Sequence, residues 1–453
     1  MTSAPPSTPV ASPTVVGFDG RALTGLAQER LANAALVVGG ARHLAAVEVP
    51  HGARTVVMGK LAAALDEIDA AAREGLEIVV VASGDPGFFG IVRALRERGH
   101  RPDVIPAVSS VAQAFARAGL PWDDALVVSA HGRGLRRAVN ACRAHPKVAV
   151  LTAPGAGPAE LARELFPQTP RSFVVCEDLG GPDERVVHVR PAEATTRPWR
   201  DPNVVLVLDS RRADAERGWI AGGPAGPAGW GLPEEAFEHR DSLITKPEVR
   251  AFALAKLGPR VGDMVWDVGA GSGSVAVECA RFGAAVVALE RDEASCERIR
   301  ANVRAHGVKV AVSRGEAPGA LHHLPAPDAV FVGGGGPEVV EVCAGRALRC
   351  VVVALIAVER VRPTLDALRA EGLVADAVHL QANRLSPMPG DVHRFAATNP
   401  VYVVWGVREP GAGASVRPPT GPERGGRRAE IAPLPEENVP EEDLPDENVE
   451  RAE

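Results

Sequence analysis

The stretch Met264-Val265-Trp266-Asp267-Val268-Gly269-Ala270-Gly271-Ser272-Gly273-Ser274 decides the reading of the carboxyl-terminal half of this 453-residue chain. Val265 to Val268 is an apolar run of strand length, the three glycines let backbone pass close to a ligand, and Val275 to Ala280 resumes at helical spacing. A strand that ends in a glycine turn and opens a helix is a nucleotide-handling unit. A dinucleotide fold places its third glycine three residues after the second. Here Gly269, Gly271 and Gly273 run Gly-x-Gly-x-Gly, and Ser274 holds the third-glycine place. Glu290 closes the next apolar run, Ala285 to Leu289, where a carboxylate can accept both hydroxyls of a ribose. The plain alternative is an ordinary strand-to-helix turn with a surface glutamate.

Asp267 followed by this glycine spacing resembles the first motif of the Rossmann-like S-adenosylmethionine (SAM) methyltransferases more than an NAD turn. SAM has a sulfonium and a carboxylate and no pyrophosphate. The resemblance therefore implies that Gly269, Ala270, Gly271, Ser272 and Gly273 wrap its amino-acid end, with Asp267 beside them and Glu290 on the ribose.

With 46% hydrophobic residues, the chain can bury large cores and is expected to form two domains. Aromatic residues make up only 4%, which argues against recognition of single-stranded nucleic acid by stacking. The six cysteines show no close pairing and several sit in apolar runs, so they read as reduced core residues with no metal site. The amino terminus has neither a basic start nor an apolar block, and the longest apolar run, Cys350 to Val358, is too short to span a bilayer. These features predict a soluble cytoplasmic protein with no membrane partner. The net charge of -7 is concentrated at the end. Residues 430–453 hold ten acids and one base among prolines, and 47 acidic and 49 basic residues precede them. That tail is expected to be disordered and the rest nearly neutral.

From Val15 to Asp209 short β-branched runs alternate with helical stretches. Strands are predicted at Leu36 to Val38, Ile78 to Val81, Leu126 to Val128, Val148 to Leu151, Phe173 to Cys176 and Val204 to Leu208, with helices such as Leu61 to Arg73 and Val111 to Ala118 between them. In the second half a helix from Pro247 to Leu257 precedes the glycine motif. Strands recur there at Ala285 to Leu289, Val308 to Val312, Ala329 to Val332, Val351 to Leu355, Val374 to Leu380 and Val401 to Trp405. The fold class is α/β throughout, the second half being a doubly wound sheet closed by an antiparallel edge pair. The expected layout is a first domain over 15–210, a Gly/Pro linker over 211–231, a second domain over 232–407 and a tail over 408–453.

In the first half, Val81-Ala82-Ser83-Gly84-Asp85-Pro86-Gly87 runs from a strand into a tight turn. It follows Val15-Val16-Gly17-Phe18-Asp19-Gly20 and Val38-Gly39-Gly40-Ala41-Arg42-His43, and precedes Ala107-Val108-Ser109-Ser110 and Ser129-Ala130-His131-Gly132-Arg133. In that order these segments resemble the tetrapyrrole methylase family, in particular its cobalamin-pathway members that methylate carbon 5 of a precorrin. The resemblance implies a two-lobed domain whose SAM cleft is lined by Gly84, Asp85, Pro86 and Ser110. The chain departs from the family in its first loop, where only Phe18 and Asp19 separate Gly17 from Gly20. In the second half, Ile244-Thr245-Lys246-Pro247-Glu248-Val249-Arg250, Arg314-Gly315-Glu316-Ala317-Pro318 and Phe331 to Gly336 resemble the cobalamin-pathway proteins that methylate carbon 15 and decarboxylate an acetate arm. Thr245, Glu316 and Ala317 join the implied SAM residues.

Methyl transfer from a sulfonium to an electron-rich carbon is an in-line displacement in which alignment is most of the catalysis. A substrate rich in carboxylates calls for cations near the clefts, and arginine binds carboxylate bidentately. Candidates are Arg42, His43, His131, Arg133, Arg136 and Arg137, then Lys246 and Arg250, with Asp85 a further candidate for a catalytic role. For Arg136 and Arg137 a solvated helix face is the plainer reading, as a solvated loop is for His322 and His323. The expected partners are a small tetrapyrrole and a second copy of the chain, with no nucleic acid. The rival readings are a methyltransferase of RNA or protein, a SAM-binding or tetrapyrrole-binding protein without turnover, and an NAD oxidoreductase, which Ser274 in place of glycine disfavours.

Overall fold

Strands form where β-branched and aliphatic residues run unbroken, and those buried on both faces have no polar alternation, as expected of parallel sheets covered by helices. The computed structural model describes residues 12–23, 25–131, 134–210, 221, 226–240 and 244–409. The expected disordered tail and most of the expected linker lie outside them.

The first sheet contains β1 (Thr14–Phe18), β2 (Leu36–Gly39), β3 (Arg54–Val57), β4 (Ile78–Ser83) and β5 (Asp103–Ile105), all parallel in the order β3-β2-β4-β1-β5. The second contains β6 (Leu126–Ser129), β7 (Lys147–Leu151), β8 (Ser172–Glu177), β9 (Arg185–Val189) and β10 (Asn203–Leu208), mixed in the order β6-β7-β10-β8-β9. These are two α/β lobes in succession.

The third sheet is built from β11 (Met264–Val268), β12 (Ala285–Glu290), β13 (Ala311–Arg314), β14 (Ala329–Val332), β15 (Cys350–Leu355), β16 (Val374–Leu380) and, beyond a hairpin of β17 (Asn383–Met388) and β18 (Val392–Ala397), β19 (Val401–Val407). Its order is β13-β12-β11-β14-β15-β19-β16, with β19 antiparallel to both of its neighbours. Period-two alternation divides its residues between two cores. Met264, Trp266, Val268, Val351 and Val353 face one layer of helices, and Val265, Val286, Phe331 and Val352 face the other.

Two expectations are corrected. The strand expected over Val308 to Val312 begins instead at Ala311, because Gly307 takes a positive φ and the Val308 amide bonds back to Val303 O, so Val308 seals the preceding helix. The pair β17–β18 was not anticipated, since Pro387 and polar residues hide it. Arg408, assigned to the tail, belongs to the fold: its guanidinium donates to the carbonyls of Ala344, Ala347 and Glu371. All six cysteines are buried thiols. Among the described residues no helix is long and apolar enough to cross a membrane.

Candidate functional sites

The order of the third sheet reverses direction between β11 and β14, and open α/β sheets bind ligands outside the carboxyl ends of strands at such a point. A cleft of ≈ 1130 Å³ lies there, lined by the glycine turn, Glu290, Gly315 to Ala317, Gly333 to Gly335, Ile356, Arg360 and Arg384. Gly269 and Gly333 are required by close approach. A Cβ on Gly269 would lie 3.0 Å from Gly334 N, and one on Gly333 would lie 3.1 Å from Gly269 O. Gly271, at φ +56°, differs: a Cβ there meets no protein atom within 4 Å and would project into open space. The turn is held from behind by Asn302, whose side-chain amide donates to Ser272 O at 2.8 Å.

Asp267 is almost fully buried, and its Oδ2 accepts the Ala276 amide at 2.9 Å. The following helix starts at Ser274 with Gly273 at its N-cap, a residue with no side chain to cap it. Asp267 supplies that missing acceptor from the preceding strand. Burial, with the nearby Glu290 charge adding to it, pushes its pKa up to about 7 against the pull of the Ala276 amide. Glu290 accepts the amides of Gly271, Arg291 and Asp292 at 2.9 to 3.0 Å, so its carboxylate is fixed at the cleft wall with about one of its four acceptor sites, on Oε2, left open.

Thr245, Lys246, Glu316 and Ala317 all line the cleft. Lys246 is neutralised by Glu234, which also pairs with Arg384. Arg250 does not reach the cleft: it is wholly buried, bonded to Glu278 at 2.6 Å and to the carbonyls of Thr245 and Leu232. It is a structural clamp, which corrects its nomination as a catalytic cation. Glu278 in turn accepts the Gly231 and Leu232 amides, so the segment ahead of the glycine motif is tied to the helix after it. Sequence reasoning missed Ile356, Arg360 and Arg384, which carry no motif and reach the cleft through the β15 loop and the unanticipated hairpin.

At the carboxyl ends of β1 and β4, backbone meets backbone. A Cβ on Gly17 would lie 2.2 Å from Gly84 O, the Gly84 amide donates to Phe18 O at 2.7 Å, and Gly84 itself has φ +55°. The Asp85 carboxylate accepts the Gly87 amide at 2.8 Å and closes the turn around Pro86, so its part is conformational. Ser110 opens the helix Ser110–Ala118 beside Gly84, while the cap is Ser109, whose Oγ accepts the Ala112 amide at 3.2 Å. The shortened first loop rests directly on the second lobe: a Cβ on Gly20 would lie 2.2 Å from Gly180 O.

The first-half cations divide. His43 is buried, 2.9 Å from Ser83 Oγ, and burial together with the Arg42 charge lowers its pKa to about 4, so it is neutral at physiological pH and not a carboxylate-binding cation. Arg42 donates to Ser83 Oγ and lies 3.7 Å from Asp178. His131 is exposed, its amide donating to Ser129 Oγ, and Arg133 lies outside the described residues. Arg136 spans to Asp328 through two 2.6 Å bonds, and Arg137 packs at Gly262. Both belong to a contact between the halves, which corrects the reading of a solvated face. His322 and His323 are exposed in a short turn, and among the described residues no cluster of three or more His, Cys, Asp or Glu could hold a metal.

Residues 16–195 match the family described as tetrapyrrole (corrin/porphyrin) methylases, and residues 235–408 match the precorrin methyltransferase domain. A precorrin-6Y C(5,15)-methyltransferase [decarboxylating] of Sinorhizobium sp is 37% identical over 338 residues, covering 72% of this chain and 79% of the relative. One of the same description from Mycobacterium tuberculosis is 34% identical over 412 residues, covering 84% of this chain and 92% of the relative. Among solved structures, the carboxyl-terminal domain of precorrin-6Y C5,15-methyltransferase from Rhodobacter capsulatus matches at 33% identity with a TM-score of 0.36, over 40% of this chain and 98% of that one. The chain belongs to the family of precorrin-6Y C(5,15)-methyltransferases [decarboxylating].

Proposed function

We propose that the chain methylates a precorrin at carbons 5 and 15 with SAM as the methyl donor and removes the carboxyl group of an acetate arm, as a step of cobalamin biosynthesis. The observation that carries the second site is Gly271, whose missing side chain opens into a cleft bounded by a fixed acceptor, Glu290. In this reading the turn Gly269, Ala270, Gly271, Ser272 and Gly273 holds the amino-acid end of SAM, Glu290 its ribose, and Thr245, Glu316 and Ala317 the flanks. Asp267 acts from behind by capping the helix. SAM supplies an electrophilic methyl group. The protein's part is to hold the bridging carbon in line with it and to keep water out, the substitution of an encounter by an alignment. In decarboxylation the bond to the carboxyl carbon breaks, its electron pair enters the macrocycle, carbon dioxide leaves and the arm's remaining carbon takes a proton. In the first half Gly84, Asp85, Pro86 and Ser110 form the turn assigned to the second SAM molecule, serving carbon 5.

The near balance of charge before Glu430 supports a small-molecule substrate over RNA. The six buried thiols support a reducing compartment such as the cytoplasm. For the assembly, Leu385 and Phe395, paired across the hairpin, are 62% and 74% exposed, and a second copy of the chain is the assigned cover. Light scattering on Phe395→Glu tests this, with a smaller species expected. The function is tested by incubating the full chain with labelled SAM and precorrin-6Y. Two added methyl groups and one lost carbon dioxide are expected, and an unchanged product mass would refute the assignment.

A further inference from the structure

The cleft has a direction. Glu290 ends β12 on one side of β11, while the Gly333 to Gly335 loop follows β14 and Ile356 and Arg360 follow β15 on the other. With a ribose at Glu290 and the amino-acid end over Gly271, the acceptor must enter from the β14–β15 side.

The cations lining the cleft are unequal. Lys246 and Arg384 are spent on Glu234 and Glu248, Arg291 pairs with Glu316 at 3.1 Å, and Arg240 and Arg298 both lie in the field of Asp292, Arg298 also donating to Ser295 Oγ. Arg360 is the exception. Its Nη1 donates to Gly335 O at 3.3 Å, and among the described residues it makes no ion pair. That single bond anchors the guanidinium at the glycine loop and leaves most of its five N–H donors available. Four residues earlier Ile356 is 82% exposed at the same rim, an aliphatic side chain at the mouth of the cleft. A smaller cavity of ≈ 300 Å³ joins Gly333 to Gly335 with Ile356 and Arg360. A bidentate carboxylate donor and a bare apolar surface, side by side at the entry edge, match a flat hydrophobic ring bordered by acidic arms.

We infer that Arg360 binds a carboxylate arm of the tetrapyrrole while Ile356 packs against the macrocycle, so that together they set the substrate's register over the methyl donor in the second site. This rests on the function proposed above. Arg360 is a specificity-determining residue, because its guanidinium would touch the substrate and not the reacting carbon. Its anchoring to Gly335 couples substrate position to the loop that packs on Gly269.

The test is steady-state kinetics of full-length Arg360→Gln and Arg360→Lys with precorrin-6Y and SAM, alongside calorimetry with SAM alone. For Arg360→Gln the KM for the tetrapyrrole at the carbon-15 step is expected to rise at least tenfold. SAM affinity and carbon-5 methylation should be unchanged, and Arg360→Lys should recover part of the loss. Ile356→Asp should raise the same KM. An unaltered KM in Arg360→Gln, with the parent active, would overturn the inference and leave the functional reading standing. Loss of SAM affinity in Arg360→Gln would also overturn it, since the residue would then act by supporting the glycine loop. A parent chain that binds SAM and leaves precorrin-6Y unchanged would refute the functional reading, and this inference with it.

Discussion

At the scale of single residues, the two acidic groups of the proposed SAM site have different work. Glu290 faces the cleft, whereas Asp267 is consumed by the Ala276 amide and is costly to ionise where it sits. Its folded pKa of about 7 lies above the ordinary 3.8, so between those values the folded state keeps a proton that the unfolded chain has lost. Stability from this group is therefore greatest below about pH 4 and declines as pH rises to about 7. Asp267→Asn keeps an acceptor for Ala276 and cannot ionise. Between pH 5 and pH 8, denaturant titrations should show the parent losing roughly 2–3 kcal/mol relative to the variant. A pH-independent difference would mean that Asp267 is ionised throughout. Gly271 provides the complementary test. Because a Cβ there enters only the cleft, Gly271→Val should fold with a modest strain cost of roughly 1–2 kcal/mol and lose SAM binding at that site. Calorimetry on the full chain should count two SAM sites in the parent and one in the variant. Two in both would remove the assignment.

At the scale of elements, legibility followed burial. Helices Leu61–Arg73 and Pro247–Leu257 and the central strands were readable because both patterns are enforced by a continuous core. The hairpin β17–β18 was not, because it is largely exposed, mixes polar with apolar residues without a core to enforce a pattern and is interrupted by Pro387, and Arg384 went unnoticed with it. Motif residues were legible as a set but not in their roles. Arg250 sits in a segment shared with Thr245, a proposed SAM-site residue, yet a sequence does not tell a cation facing a ligand from one facing Glu278. The buried pair gives a clear expectation: Arg250→Met leaves the buried Glu278 with only the Gly231 and Leu232 amides and Arg281 at 3.8 Å to offset its charge, and should cost about 3–5 kcal/mol. Arg250→Met combined with Glu278→Gln should recover part of that. A catalytic Arg250 would instead lower turnover at unchanged stability, which the same denaturation curves would reveal.

At the scale of the whole molecule, the Gly/Pro composition between the halves implied a tether, but the described contacts include direct docking. Helix Leu135–Ala144 of the second lobe lies against the amino-terminal edge of the third sheet. Arg136 grips Asp328 with two bonds, Asp328 also accepts the amide of Met264 where β11 starts, and Asn140 donates to Gly262 O at 3.1 Å. The glycine turn lies at the opposite end of β11, five residues and roughly 16 Å away. The interface can therefore join the stabilities of the two halves without entering the proposed site at the glycine turn. Calorimetric unfolding of the parent should give one transition, and Arg136→Glu with Asn140→Ala should separate it into two. Like charge at Asp328 and a lost buried bond together remove about 2–4 kcal/mol of coupling. Both methylations should persist in that variant at their parental rates. The sites themselves should fail one at a time: Asp85→Ala with Pro86→Ala should remove methylation at carbon 5, and Glu290→Ala should impair carbon 15 and decarboxylation together. Product mass and NMR position for each variant check this. If the docking variant lost either methyl group while still folded, the interface would be part of the reaction path and the two sites would be coupled through helix Leu135–Ala144.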